Sequence, residues 1–144
     1  MEKTRVALLS KDFDAFAECF YLPHFIASAQ DKKTLESRED PEFVFEKVTQ
    51  DYAKKGVTDL IRACEVAEFR TETRIEAMHI THMMSGDQRV TDPFPCFTIL
   101  EFKNGRWQAT SSQYAVEKTM TVGIALSADS PNQSPNTTNV RNEK

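Results

Sequence analysis

Two apolar runs joined by Asn104-Gly105 constrain what this chain can fold into more than any other feature. The stretch Phe94 to Lys118 reads FPCFTILEFKNGRWQATSSQYAVEK. Asn-Gly between such runs specifies a two-residue hairpin turn, because both turn positions need positive φ. With that turn, Lys103 lies opposite Arg106, Phe102 opposite Trp107 and Leu100 opposite Ala109. Thr98 then faces Ser111, and Cys96 faces Gln113. Side chains alternate along a strand, so these residues share one surface. The other surface takes Phe97, Ile99, Glu101, Gln108, Thr110, Ser112 and Tyr114. The first surface is apolar at the turn and polar at its far end. That gradient suits packing at one end and a cavity at the other.

The preceding chain supplies cover for that surface. Met1 to Leu9 reads as a short helix. Phe13, Phe16, Ala17 and Phe20 recur at helical spacing and form a second. Pro23 ends it, because the residue before a proline avoids helical angles. Leu22 to Ser28 follows as a short strand, with Asp31-Lys32-Lys33 as a polar turn. Ser37 to Gly56 is the strongest helix, with Pro41 in its first turn and Gly56 as its stop. Its apolar stripe is Val44, Phe45, Val48 and Tyr52. After Gly56 the period drops to two. Val57 to Arg70 and Arg74 to Met84 read as long strands leading into the hairpin. Helices segregated beside an antiparallel sheet make an α+β fold.

The chain has 144 residues, enough for one domain and its core. We assign residues 1–126 to it. Residues 127–144, SADSPNQSPNTTNVRNEK, carry too little apolar surface to offset ordering entropy and are expected to be disordered. Met120, Val122, Ile124 and Leu126 alternate and suit a strand or an exchanged arm. Net charge is −4 with no basic patch, which argues against nucleic acid. Only four glycines occur and no phosphate-binding loop exists. Cys19, Cys64 and Cys96 are scattered and form no CxxC pair, as expected of free thiols in a reducing compartment. With no secretion signal and no long apolar run, the expectation is a cytoplasmic protein that does not enter a membrane.

The segments ALLSKDFDAFAECFYLP, a helix ending in KKGVT, and strands ending in FTILEFKNGRWQATSS resemble the NTF2-like superfamily over about residues 5–118. That superfamily includes SnoaL-like cyclases and ketosteroid isomerases. The resemblance implies N-terminal helices packed on a strongly curved antiparallel sheet, as a cone around a pocket. It implies no cofactor, an inward-facing Trp107 and a homodimer through the convex sheet face, here Phe97, Ile99 and Tyr114. The isomerases' aspartate base and paired oxyanion donors have no match residue by residue, and Glu101 falls on the wrong surface.

Several residues invite chemistry. His79 and His82 are three apart, which on a strand puts them on opposite faces, so no joint metal site is expected. Either histidine alone could serve as an acid or base, and His24 opens the short strand. Ser111 lacks a base and Cys96 a cationic neighbour, so neither reads as a nucleophile. The expected pocket comprises Phe16, Phe20, Tyr52, His79, Thr98, Trp107, Ser111 and Gln113, holding a small apolar molecule. The alternatives are a cofactor-independent acid–base enzyme of the SnoaL-like type and a protein-interaction module.

Overall fold

The computed structural model describes residues 2–115. The expected tail, the domain limit at residue 126 and the stretch Met120 to Leu126 lie outside the described residues. Among the described residues three helices, α1 (Glu2–Ser10), α2 (Phe13–Ala17) and α3 (Glu39–Lys55), cover one face of a seven-stranded sheet. The strands are β1 (Phe20–Ala27), β2 (Lys32–Leu35), β3 (Asp59–Thr71), β4 (Arg74–Ser85), β5 (Gln88–Arg89), β6 (Phe94–Lys103) and β7 (Arg106–Tyr114). Their order is β2-β1-β7-β6-β4-β3, with β5 paired to β4. The expected α+β layering is present. The sheet is mixed, however, because β1 runs parallel to β7. The other five pairings are antiparallel as expected, and the β1–β7 pair is the one departure among the described strands.

Local differences have simple causes. The second helix stops at Ala17, and Phe20 begins β1. Backbone pairing wins there, because the Cys19 carbonyl accepts from Ala109 N–H at 2.9 Å. The expected turn at Asp31 to Lys33 becomes the start of β2, which pairs with β1 from Ala27 to His24. Asp12 caps α2 by accepting from Ala15 N–H. Gly56 ends α3 at φ 68° as its composition requires.

The core forms where α1, α2 and α3 meet the sheet. Phe13, Phe16, Phe20 and Phe45 interlock, with Phe16 4.7 Å from Phe20 and 5.0 Å from Phe45 between ring centroids. Val44, Val48, Leu60, Met83 and Phe94 close the layer. Arg5 fastens α1 to β3, donating to the Asp59 carboxylate at 2.9 Å and the Leu60 carbonyl at 3.2 Å.

The hairpin departs from its expected register midway. Lys103 to Leu100 pair with Arg106 to Ala109 as anticipated. Beyond that point Ile99 pairs with Ser111, Thr98 with Ser112, Phe97 with Gln113 and Cys96 with Tyr114. Thr110 is therefore an extra residue, a β-bulge. One inserted residue exchanges the faces of everything beyond it. Ser112 and Tyr114 join the helix-facing surface with Trp107 and Ala109, while Ser111 and Gln113 move to the outer surface. This corrects both the placement of Ser111 and Gln113 in the pocket and that of Tyr114 on the convex face.

Deleting Thr110 should turn Ser112 and Tyr114 outward and abolish cooperative unfolding in urea. Thr110→Val, which keeps the residue count, should change stability by less than about 1 kcal/mol. A deletion variant that unfolds like the parent protein would contradict this account of the bulge.

Candidate functional site

The helix-facing surface of the sheet encloses two adjoining spaces. The inner one, about 60 Å³, lies under the helices and is walled largely by Leu8, Phe16, Ile26, Val44 and Val48. The outer one, about 490 Å³, opens between α1, the loop after α2 and the sheet. Phe20, Arg62, Ser112 and Tyr114 line both. The larger space lies within the range of small-molecule sites.

The expected pocket residues divide accordingly. Phe16 and Tyr52 line the inner space, Phe20 both, and His79, Thr98 and Trp107 the outer one. Ser111 and Gln113 line neither, and Gln113 borders a shallow groove with Phe97 and Met78 on the opposite surface. His79 pairs with Cys96 and His82 with Ile61, so the two histidines occupy opposite faces of β4 as strand alternation demands.

Arg62, His24, Ser112 and Tyr114 line these spaces but were absent from the expected set. Arg62 carried a signal, since it alternates with Leu60 and Cys64 on the face that pairs with Met83, Thr81 and His79. An arginine amid inward positions is unusual enough to mark a site. His24 similarly alternates with Ile26, which is buried. Ser112 and Tyr114 carried none, because a single-residue bulge leaves no periodic trace.

Among the described residues that line the inner space, Arg62 is the one charged side chain. His79 is 5% exposed. Burial, and then the neighbouring Arg62 charge, hold its pKa down to about 4. Burial also lowers His24. The same cause pushes Tyr52 up to about 12 and raises Tyr114 and Cys96. At neutral pH these five groups are uncharged. Arg62 Nη1 donates to Thr4 Oγ1 at 2.7 Å, which ties α1 over the two spaces. Charge reappears at the outer rim, where Lys3, Asp12, Glu18 and Arg106 stand.

At the far end of the sheet the rim is aromatic. Trp107 packs 6.0 Å from Phe69 and 5.5 Å from Phe102 between centroids. The three remain 38–68% exposed. Residues 63–71 of β3 are exposed on both faces, so the sheet projects beyond its helical cover.

No family model matches the sequence, and no curated protein matches it. Solved structures do resemble it. An NTF-2 like protein of unknown function from Shewanella oneidensis aligns over 80% of this chain and 92% of its own, at TM-score 0.60 and 10% identity. A domain of unknown function with a cystatin-like fold from Nostoc punctiforme aligns over 81% and 72%, at TM-score 0.61 and 12% identity. The protein named LinA aligns over 81% and 80%, at TM-score 0.56 and 9% identity. At these identities the likeness is one of fold.

The buried neutral histidines make stability depend on pH. His79 keeps a pKa of about 4 in the folded chain against an ordinary 6.5. Between these values the unfolded chain binds the proton and the folded chain does not. Stability is therefore full above about pH 6.5 and falls towards pH 4. Each histidine adds at most ~1.4 kcal/mol per pH unit to the slope. Urea titrations of His79→Leu across this window should give a flatter profile than the parent, and an unchanged slope would contradict the assignment.

Proposed function

On the NTF2-like fold that this chain adopts, we propose that the paired spaces bind a small, mostly apolar molecule without transforming it. The observation that carries this reading is the pair of adjoining spaces, a small inner one walled largely by apolar side chains and an outer one of about 490 Å³ where Phe20, Trp107 and Tyr114 stand with Arg62, His79, Thr98 and Ser112. An apolar body fills the walls, and a hydrogen-bond-accepting head group meets Arg62. Few polar groups fixing the orientation of an otherwise apolar ligand is the usual composition of such sites.

A second reading, a cofactor-independent acid–base enzyme, draws on the histidines that face these spaces. It ranks lower because a general base works best with a pKa near the operating pH. His79, at about 4, is a weak base at neutrality.

The chain has one tryptophan, and it lines the outer space. Binding should therefore change Trp107 fluorescence. It should also stabilise the fold by ~2.7 kcal/mol at a hundredfold excess over Kd. Thr98→Phe, which puts a ring into the outer space, should weaken both signals. A broad panel of hydrophobic compounds that moves neither would remove the proposal, and turnover of any bound compound would transfer support to the second reading.

We also propose that two copies meet through the outer face of the sheet. Val66, Met78 and Phe97 form one cross-strand row there. They stand 37–49% exposed, and Ile61, opposite His82 further along the same face, is 50% exposed. Ile99 lies one row away, opposite Glu76. An open row of this kind gains by being covered. Phe97→Glu should halve the mass seen by sedimentation without changing the circular dichroism spectrum, and a monomeric parent protein would refute the pairing.

A further inference from the structure

His24 sits in β1 at 0% exposure, at the wall of the inner space. Its Nδ1 lies 3.0 Å from the Ala109 carbonyl oxygen. A carbonyl oxygen has no proton to give, so Nδ1 carries the hydrogen and donates it. Burial disfavours the imidazolium, and the ring is neutral at physiological pH. The other nitrogen, Nε2, is then a bare lone pair. It is buried and has no hydrogen-bond partner among the described residues. Phe20 packs edge-on against the ring, with centroids 4.9 Å apart and planes at 84°, which limits its rotation. The fold thus fixes one tautomer and leaves an unanswered acceptor on a residue that lines a mostly apolar space.

An unsatisfied buried acceptor is rare in folded proteins and calls for a donor. The inner space, about 60 Å³, admits a small group but not a whole ligand. Because Phe20, Arg62, Ser112 and Tyr114 line both spaces, a molecule held in the outer one can extend its end inward. We propose that the inner space is a subsite for a hydroxyl group at the end of an apolar ligand, donating its hydrogen to His24 Nε2. A carboxylate or a ketone of the same shape offers only acceptors and leaves the lone pair unanswered. The inference rests on the ligand-binding reading above and narrows it to alcohols.

The test compares 3-phenylpropan-1-ol with butylbenzene, which replaces the hydroxyl by a methyl group. Both are titrated against the parent protein and His24→Leu, with Trp107 fluorescence as the signal. The ratio of the two Kd values should shift by about tenfold against the alcohol in His24→Leu, the usual scale of one hydrogen bond. Butylbenzene binding should change little. In the unmutated protein, the nitrogen NMR signal of His24 Nε2 should move upfield when the alcohol binds and stay in place with butylbenzene, so the answer does not depend on the variant folding. Butylbenzene binding together with an alcohol insensitive to His24 overturns the subsite and leaves the cavity reading intact. Failure of both compounds to bind the parent protein overturns the cavity reading and the subsite with it.

Discussion

One inserted residue in β7 determines which side chains face the helices. Before Thr110 the strand presents Trp107 and Ala109 inward. After it, Ser112 and Tyr114 take over. Without the insertion, Ser111 and Gln113 would occupy those places, and the ring of Tyr114 would leave the helices. The bulge also coincides with the interruption in the β1–β7 pairing, where the register shifts between Phe20 and Phe25. Both irregularities lie beside His24, whose ring nitrogen bonds the Ala109 carbonyl. The backbone irregularity and the polar lining of the cavity are thus one feature. Bulges bend strands and re-aim side chains, and here they do both at the wall of the proposed site.

Around that wall the protein keeps its polar groups neutral. Two histidines, two tyrosines and a cysteine line the spaces or lie beneath them, each driven by burial to its uncharged form. Arg62 alone keeps a formal charge at the junction. The effect in the inner space is a mostly apolar enclosure with one cation at its wall, and such an interior selects ligands by where their polar atoms lie rather than by how many they have.

Much of this was legible in the residues themselves. Asn104-Gly105 placed the hairpin, Gly56 the end of α3, and the stripe Val44, Phe45, Val48 and Tyr52 its buried face. Strand alternation separated His79 from His82. The misplaced residues of β7 share one cause. Period-two reading assumes an unbroken ladder, and each of Ser111, Gln113 and Tyr114 lies beyond the break at Thr110. Phe20 misled differently, because its helical spacing from Phe13 and Phe16 is equally satisfied by a ring reaching back from a strand. The parallel pairing of β1 with β7 depends on residues nearly ninety positions apart and leaves no local mark.

That pairing also governs how the molecule comes together. β1 occupies Phe20–Ala27, yet its parallel neighbour is Arg106–Tyr114, the last described strand. A growing chain therefore emerges with β1 lacking this partner until nearly the whole domain has left the ribosome. Contacts so distant in sequence are entropically late, and proteins rich in them fold on the slower side of the millisecond-to-second range. Until then the phenylalanines of α2 have Phe45 of α3 to pack on but only a strand without its parallel neighbour beneath them.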